Sequence, residues 1–184
     1  MTGRRRAALV ALALLATGTG AAPPVGPRAA GPAEYEVLSQ VLVQFASFTD
    51  WPPLRLAGDE VPFVVCLWGE DPMETWLRPW ARAPLRRHPV EIRRPTVDEL
   101  GVCHALWIAP TDPTSLRALL LHTTGRPILT AGATPGYHEL GVILEVEPRP
   151  GGSVMRVNLP ELKKSGLVVD PRVLNLAVTS PGTR

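Results

Sequence analysis

"PFVVCLWG", Pro62 to Gly69, is the stretch on which the reading of the fold turns. A strand with one wet face alternates apolar and polar residues. This run is apolar from Phe63 to Trp68 and is bounded by proline and glycine, so it reads as a strand dry on both faces. "CHALWIAP", Cys103 to Pro110, is a second run of the same kind. Working outward, "PVEIRR" (Pro89 to Arg94) alternates with Val90 and Ile92 inward, and "RPILTAG" (Arg126 to Gly132) supplies a further strand.

Helical spacing lies before and between these strands. Tyr35, Leu38, Val41, Leu42, Phe45 and Phe48 fall at i, i+3 and i+4 steps, one face of an amphipathic helix. Trp51-Pro52-Pro53 stops it, because proline cannot continue the hydrogen-bond ladder. Met73 to about Arg78 reads as a short helix, Thr96 to Leu100 as a helical turn, and Asp112 to Thr123 as a helix with Pro113 in its first turn. Strands alternating with helical segments predict a largely parallel sheet covered on both faces. The last third changes character: Gly141–Pro148 and Ser153–Pro160 flank "RPGG" and predict an antiparallel hairpin. A short helix from Pro160 to Ser165 follows, and Val173, Leu174 and Ala177 mark a closing helix. The expected architecture is a single α/β domain, residues 34–180. Its mixed, mostly parallel sheet is flanked by helices, with a C-terminal antiparallel hairpin and closing helix.

The chain opens differently. Arg4-Arg5-Arg6 precedes a ten-residue apolar run, Ala7 to Ala16, and then small residues around Ala21 and Ala22. This is the layout of a secretory signal peptide, residues 1–22, and the run is short of the ~20 residues a membrane span needs. Residues 23–33 are rich in proline, glycine and alanine and read as a flexible linker. Removing residues 1–22 takes away three arginines and no acids, so the formal charge falls from +2 to −1. A near-neutral mature chain has no electrostatic footprint for nucleic acid. For an exported protein, an even cysteine count favours a bridge between Cys66 and Cys103; two buried thiols, common in strands, is the alternative.

Chemistry is sparse. His88, His104, His122 and His138 have no HxxxH partner, neither cysteine belongs to CxxC, and no GxSxG elbow exists. No cofactor, metal site or catalytic residue is expected. His104 reads as a residue on the face of its strand opposite Cys103. The loop "LTAGATPGYHELG", Leu129 to Gly141, lacks both the P-loop ending and the GxGxxG spacing, yet it follows a strand end, where α/β folds bind ligands. Trp51, Trp68 and Trp76 fall at element ends, positions that suit either contacts or the covering of sheet ends.

Several segments together resemble a known family. Phe45-Ala46-Ser47-Phe48-Thr49-Asp50-Trp51-Pro52, Pro62 through Pro72, Cys103 through Ile108, Leu129 through Tyr137, Val157-Asn158-Leu159, and Ser165-Gly166-Leu167 through Ala177 follow in order the pattern of the YfiR-like periplasmic proteins. The chain departs from that pattern at Ala133, at Leu140 through Glu145, and at Val169-Asp170-Pro171. The resemblance implies a periplasmic, non-enzymatic repressor that engages the sensory part of a membrane diguanylate cyclase and lowers cyclic di-GMP. It also implies an outer-membrane sequestering partner, a homodimer and a disulfide. The expected interaction rim comprises Trp51, Trp68, Glu70, Asp71, Thr130, Thr134 and Tyr137. A periplasmic module binding a small ligand at the same rim is the alternative.

Overall fold

The computed structural model describes residues 30–180, and the signal-peptide reading and most of the linker lie outside the described residues. The element order is α1 (Pro32–Ser47), β1 (Thr49–Asp50), β2 (Phe63–Trp68), α2 (Met73–Leu77), β3 (Val90–Arg93), β4 (Ala105–Ile108), α3 (Pro113–Leu121), β5 (Leu129–Gly132), α4 (Tyr137–Leu140), β6 (Leu144–Arg149), β7 (Gly152–Asn158), α5 (Leu159–Ser165), β8 (Val168–Val169), α6 (Pro171–Leu174) and β9 (Val178–Ser180). Three short 3₁₀ turns, at Pro53–Arg55, Trp80–Arg82 and Val97–Val102, complete the connections.

Seven strands form one sheet in the order β3-β2-β4-β5-β6-β7-β9, and β1 pairs separately with β8. The pairs from β3 across to β6 are all parallel; β6 and β7 form the antiparallel hairpin, and β9 adds parallel to β7. Both faces of β2 are buried, as its composition requires. Phe63, Val65 and Leu67 join the core beneath α1 and α2, while Val64 and Cys66 join the core beneath α3 and α4. β4 divides the same way, with Ala105 and Trp107 on the first face and Leu106 and Ile108 on the second. α1 begins at Pro32, a turn earlier than its apolar spacing suggests, because proline is well suited to a first helical position. The segment read as a closing helix is a single turn, α6, followed by β9.

Cys66 and Cys103 are bonded, with Cα atoms 5.7 Å apart. The bridge ties β2 to the residue just ahead of the start of β4, on the α3 face. His104 follows it and points to the other side, fully buried. Its Nδ1 accepts from the Val64 N–H at 3.0 Å and its Nε2 lies 3.0 Å from the Arg55 carbonyl, so the ring is neutral with its proton on Nε2. The ring also stacks on Phe63 at 5.1 Å, and the Trp51 indole N–H donates to the His104 carbonyl.

Two outcomes are expected from these contacts. The bond closes a 37-residue separation, so the double variant Cys66→Ala/Cys103→Ala should lose about 2–4 kcal/mol of unfolding free energy with its far-ultraviolet dichroism unchanged. Burial holds the His104 imidazole below its ordinary value of 6.5. The unfolded chain therefore takes up this proton before the folded one does. The stability it contributes is complete above about pH 6.5 and shrinks as pH falls below that value. His104→Asn keeps an acceptor for the Val64 N–H; its urea-unfolding free energy should vary less between about pH 7 and pH 5.5 than that of the wild type.

Candidate functional site

Trp68, Ile108 and Gly132 lie level with one another in the parallel register, so β2, β4 and β5 end together. The chain leaves β2 towards β3 on one side and leaves β4 towards β5 on the other. Such a reversal opens a crevice beyond the carboxyl ends of the strands, the place where doubly wound sheets bind their ligands. The loops that follow the three strands form its rim.

The first loop turns at Gly69, whose φ of +82° favours glycine; a Cβ there would meet the Ala109 methyl at 3.0 Å. Asp71 follows and is fixed from two directions. Its Oδ1 accepts from the Met73 N–H at 2.8 Å, opening α2, and its Oδ2 accepts from the Trp107 indole N–H at 2.9 Å. Asp71 and Trp107 line a cavity of about 350 Å³ with Glu34, Tyr35, Thr134 and Glu147. Burial, with the Asp71 charge adding to it, pushes the Tyr35 phenol up to about 12, so it stays protonated. The Arg156 guanidinium beside Glu147 holds that carboxyl below the usual range. Three carboxyl groups, Glu34, Asp71 and Glu147, thus border one apolar floor, an arrangement suited to cationic or hydrogen-bond-donating groups.

The loop after β5 is built around Tyr137. Its ring packs on Gly132, where a Cβ would sit 2.6 Å from Cδ2, and its hydroxyl donates to the Ala109 carbonyl and accepts from the Thr111 N–H. The glycines of this stretch therefore serve packing and a turn: Gly132 admits the ring, and Gly136, with φ +88°, leads into α4. Thr130 is buried inside β5, where its Oγ1 accepts from the Ile143 N–H at 2.9 Å.

The residues expected on one rim are thus spread by the fold. Asp71 and Thr134 line the crevice, and Glu70 is exposed on the loop after β2. Trp68 is half-buried on the α3 face, and Thr130 and Tyr137 support the rim from beneath. Trp51 lies at the opposite end of the sheet, packed edge-on against Phe63 at 5.0 Å. Tyr35 and Trp107 were readable only as core positions, since nothing local to either residue points to Asp71. A second cluster also escaped the sequence reading. Glu145, 2% exposed, accepts from the His138 N–H, lies 2.7 Å from the His138 ring nitrogen, and is 3.3 Å from Arg156. No local signal marked it: Leu144 to Arg149 alternates apolar and charged residues, so Glu145 reads like Glu147, as a residue on a wet face.

The pattern of the YfiR/HmsC-like family matches residues 35–178. The chain belongs to that family. The family points to periplasmic regulation of diguanylate cyclase signalling rather than to catalysis. No curated protein matches the chain. Among solved structures it is similar to an ABC domain in complex with L-Trp from Streptococcus pneumonia, with a TM-score of 0.48 and 12% identity, over 77% of this chain and 61% of that one. The chain therefore spans less than two thirds of that protein. Among the described residues no helix is long and apolar enough to cross a membrane.

Gly132→Ala should be costly here. The new methyl would meet the Tyr137 ring and, at 3.1 Å, the Ile108 carbonyl, and the ring cannot swing aside without losing both hydroxyl bonds. A loss of about 1–3 kcal/mol in chemical denaturation is expected. Tyr137→Phe, which keeps the ring, should lose only about 1 kcal/mol.

Proposed function

We propose that this protein is an exported, non-enzymatic regulator. It binds the periplasmic sensory part of a membrane diguanylate cyclase, holds that enzyme down and so lowers cyclic di-GMP. The observation that carries the reading is membership of the YfiR/HmsC-like family over residues 35–178. The rim formed by Glu70, Asp71 and Thr134 is the proposed contact surface. Support for it comes from the topology: the rim lies where the sheet reverses, and its loops are pinned by Asp71 and Tyr137. A surface fixed before encounter loses little conformational entropy on binding. Sequestration by an outer-membrane protein and homodimer formation belong to the same proposal, with Cys66–Cys103 as a static brace of the fold.

One observation favours a second reading. The crevice floor, with Tyr35, Asp71 and Trp107, has the size and mixed polarity of a small-ligand pocket. A metabolite that raises the melting temperature, and stops doing so in Thr134→Arg, would favour that reading.

The deciding experiment is cellular cyclic di-GMP in a deletion strain. Deletion should raise it, and the wild-type gene should restore it. Glu70→Lys/Thr134→Arg, two changes at side chains without a core role, should fold normally and fail to restore it. Unchanged cyclic di-GMP on deletion under several growth conditions would sink the repressor reading. Full restoration by the double variant would remove the rim from it.

A further inference from the structure

A second cavity of about 340 Å³ lies away from the rim, between α1, β2, β3 and the segment that runs from Trp80 to Arg86. Leu42, Phe63, Leu77, Trp80 and Ile92 are among its walls, and among the described residues Gln44, Ser47 and Arg86 are its polar lining. Its volume is at the lower end of the range that small-molecule sites occupy.

Arg86 enters that lining from a backbone that side chains rarely adopt. Leu85 and His88 exchange two backbone hydrogen bonds of 2.9 Å, closing a tight turn whose central residues are Arg86 and Arg87, with φ of +54° and +108°. Asparagine and glycine are the relaxed occupants of such a turn. Two arginines there are a local conflict of the kind that collects at functional sites. The turn fixes the Arg86 guanidinium through one nitrogen: Nη1 donates to the Thr49 carbonyl at 2.7 Å and to Asp50 at 2.6 Å. Among the described residues, nothing accepts from its Nε–Nη2 edge, the fork that pairs side-on with a carboxylate.

The surrounding charge agrees. Residues 78–94 hold six arginines and one acid, Glu91, a formal +5, whereas residues 30–180 as a whole hold 14 basic and 17 acidic side chains, a formal −3. Glu91 is paired with Arg93, Glu74 with Arg78 and Arg94, and Asp50 with Arg86. Arg82 and Arg87 form no ion pair among the described residues and are exposed.

We propose that this cavity binds a carboxylate with an apolar tail, a medium-chain fatty acid. The tail lies along Trp80 and Ile92, and the carboxylate pairs side-on with Nε and Nη2 of Arg86. The site is separate from the rim and does not depend on what the rim binds.

Sub-micellar sodium decanoate is the probe, titrated into the purified protein by calorimetry and followed by melting temperature. Saturable one-site binding and a raised melting temperature are expected, and a fluorescence change that Trp80→Phe removes. The neutral analogue n-decanol should bind at least roughly ten-fold more weakly, because the charged hydrogen bonds are lost. Arg86→Asn, a residue at ease with positive φ, should weaken decanoate by a similar factor. Ala83→Trp, which fills the cavity wall and leaves Arg86 intact, should abolish binding, and it carries the test alone if Arg86→Asn does not fold. The proposal is overturned by the absence of saturable binding, by decanol binding as tightly as decanoate, or by decanoate binding that survives Ala83→Trp unchanged.

Discussion

Strand β2 has no wet face, and the molecule is arranged around keeping it dry. Phe63, Val65 and Leu67 need α1 and α2 above them; Val64 and Cys66 need α3 and α4 below. Each such side chain is worth about 1.5–3 kcal/mol when fully buried, so uncovering one face of one strand would consume a large part of the ~5–15 kcal/mol by which a domain is stable. Helices are therefore required on both sides. Right-handed crossovers that supply them on opposite sides must run in opposite directions from the centre of the sheet. The crevice at the ends of β2 and β4 is a consequence of that requirement, whatever later came to occupy it.

A sheet buried on both faces makes every polar group within it demanding. Thr130 meets the Ile143 N–H, His104 spans Val64 and Arg55, and Glu145 gathers His138 and Arg156. The last of these reaches the site. Glu145 on β6 holds His138 of α4 by both its ring and its backbone N–H, and the residue before His138 is Tyr137, whose hydroxyl ties the loop after β5 to the loop after β4. Losing only one member of a buried, hydrogen-bonded charge cluster typically costs about 3–5 kcal/mol. The rim is thus held from behind by a charge cluster that does not line it.

The fold was legible because its signals are long and local. The two apolar runs, the i, i+3, i+4 spacing of α1, and the Gly-Gly turn between β6 and β7 each declare themselves within a dozen residues. β1, β8 and β9 escaped, since strands of two or three residues carry no measurable period, whereas the closing helix was legible from Val173 and Leu174 and is the single turn α6. Of the site, the strand-end loops and Asp71 were legible, but the register that separates Trp51 from Trp68 by the length of the sheet was not. A tryptophan at an element end looks the same at either pole. Only the pairing of Phe63 beneath the Trp51 indole decides which end it caps.

The charges divide in a way that the net value hides. The rim's cavity is bordered by Glu34, Asp71 and Glu147, whereas the β3 edge carries exposed Arg82 and Arg87, which form no ion pair among the described residues. A chain of formal charge −3 over its described length therefore presents a cationic flank and an acidic crevice together. Fields of opposite sign on one surface orient a protein during encounter, although salt screens them beyond about 8–10 Å. A partner that approaches the rim with donors or cations is steered into it and away from the flank, while anions are drawn to the flank. Were both proposals to hold, the two surfaces would be occupied without competing, and ligand binding at the flank would alter partner binding only through α1, β2 and the packing they share.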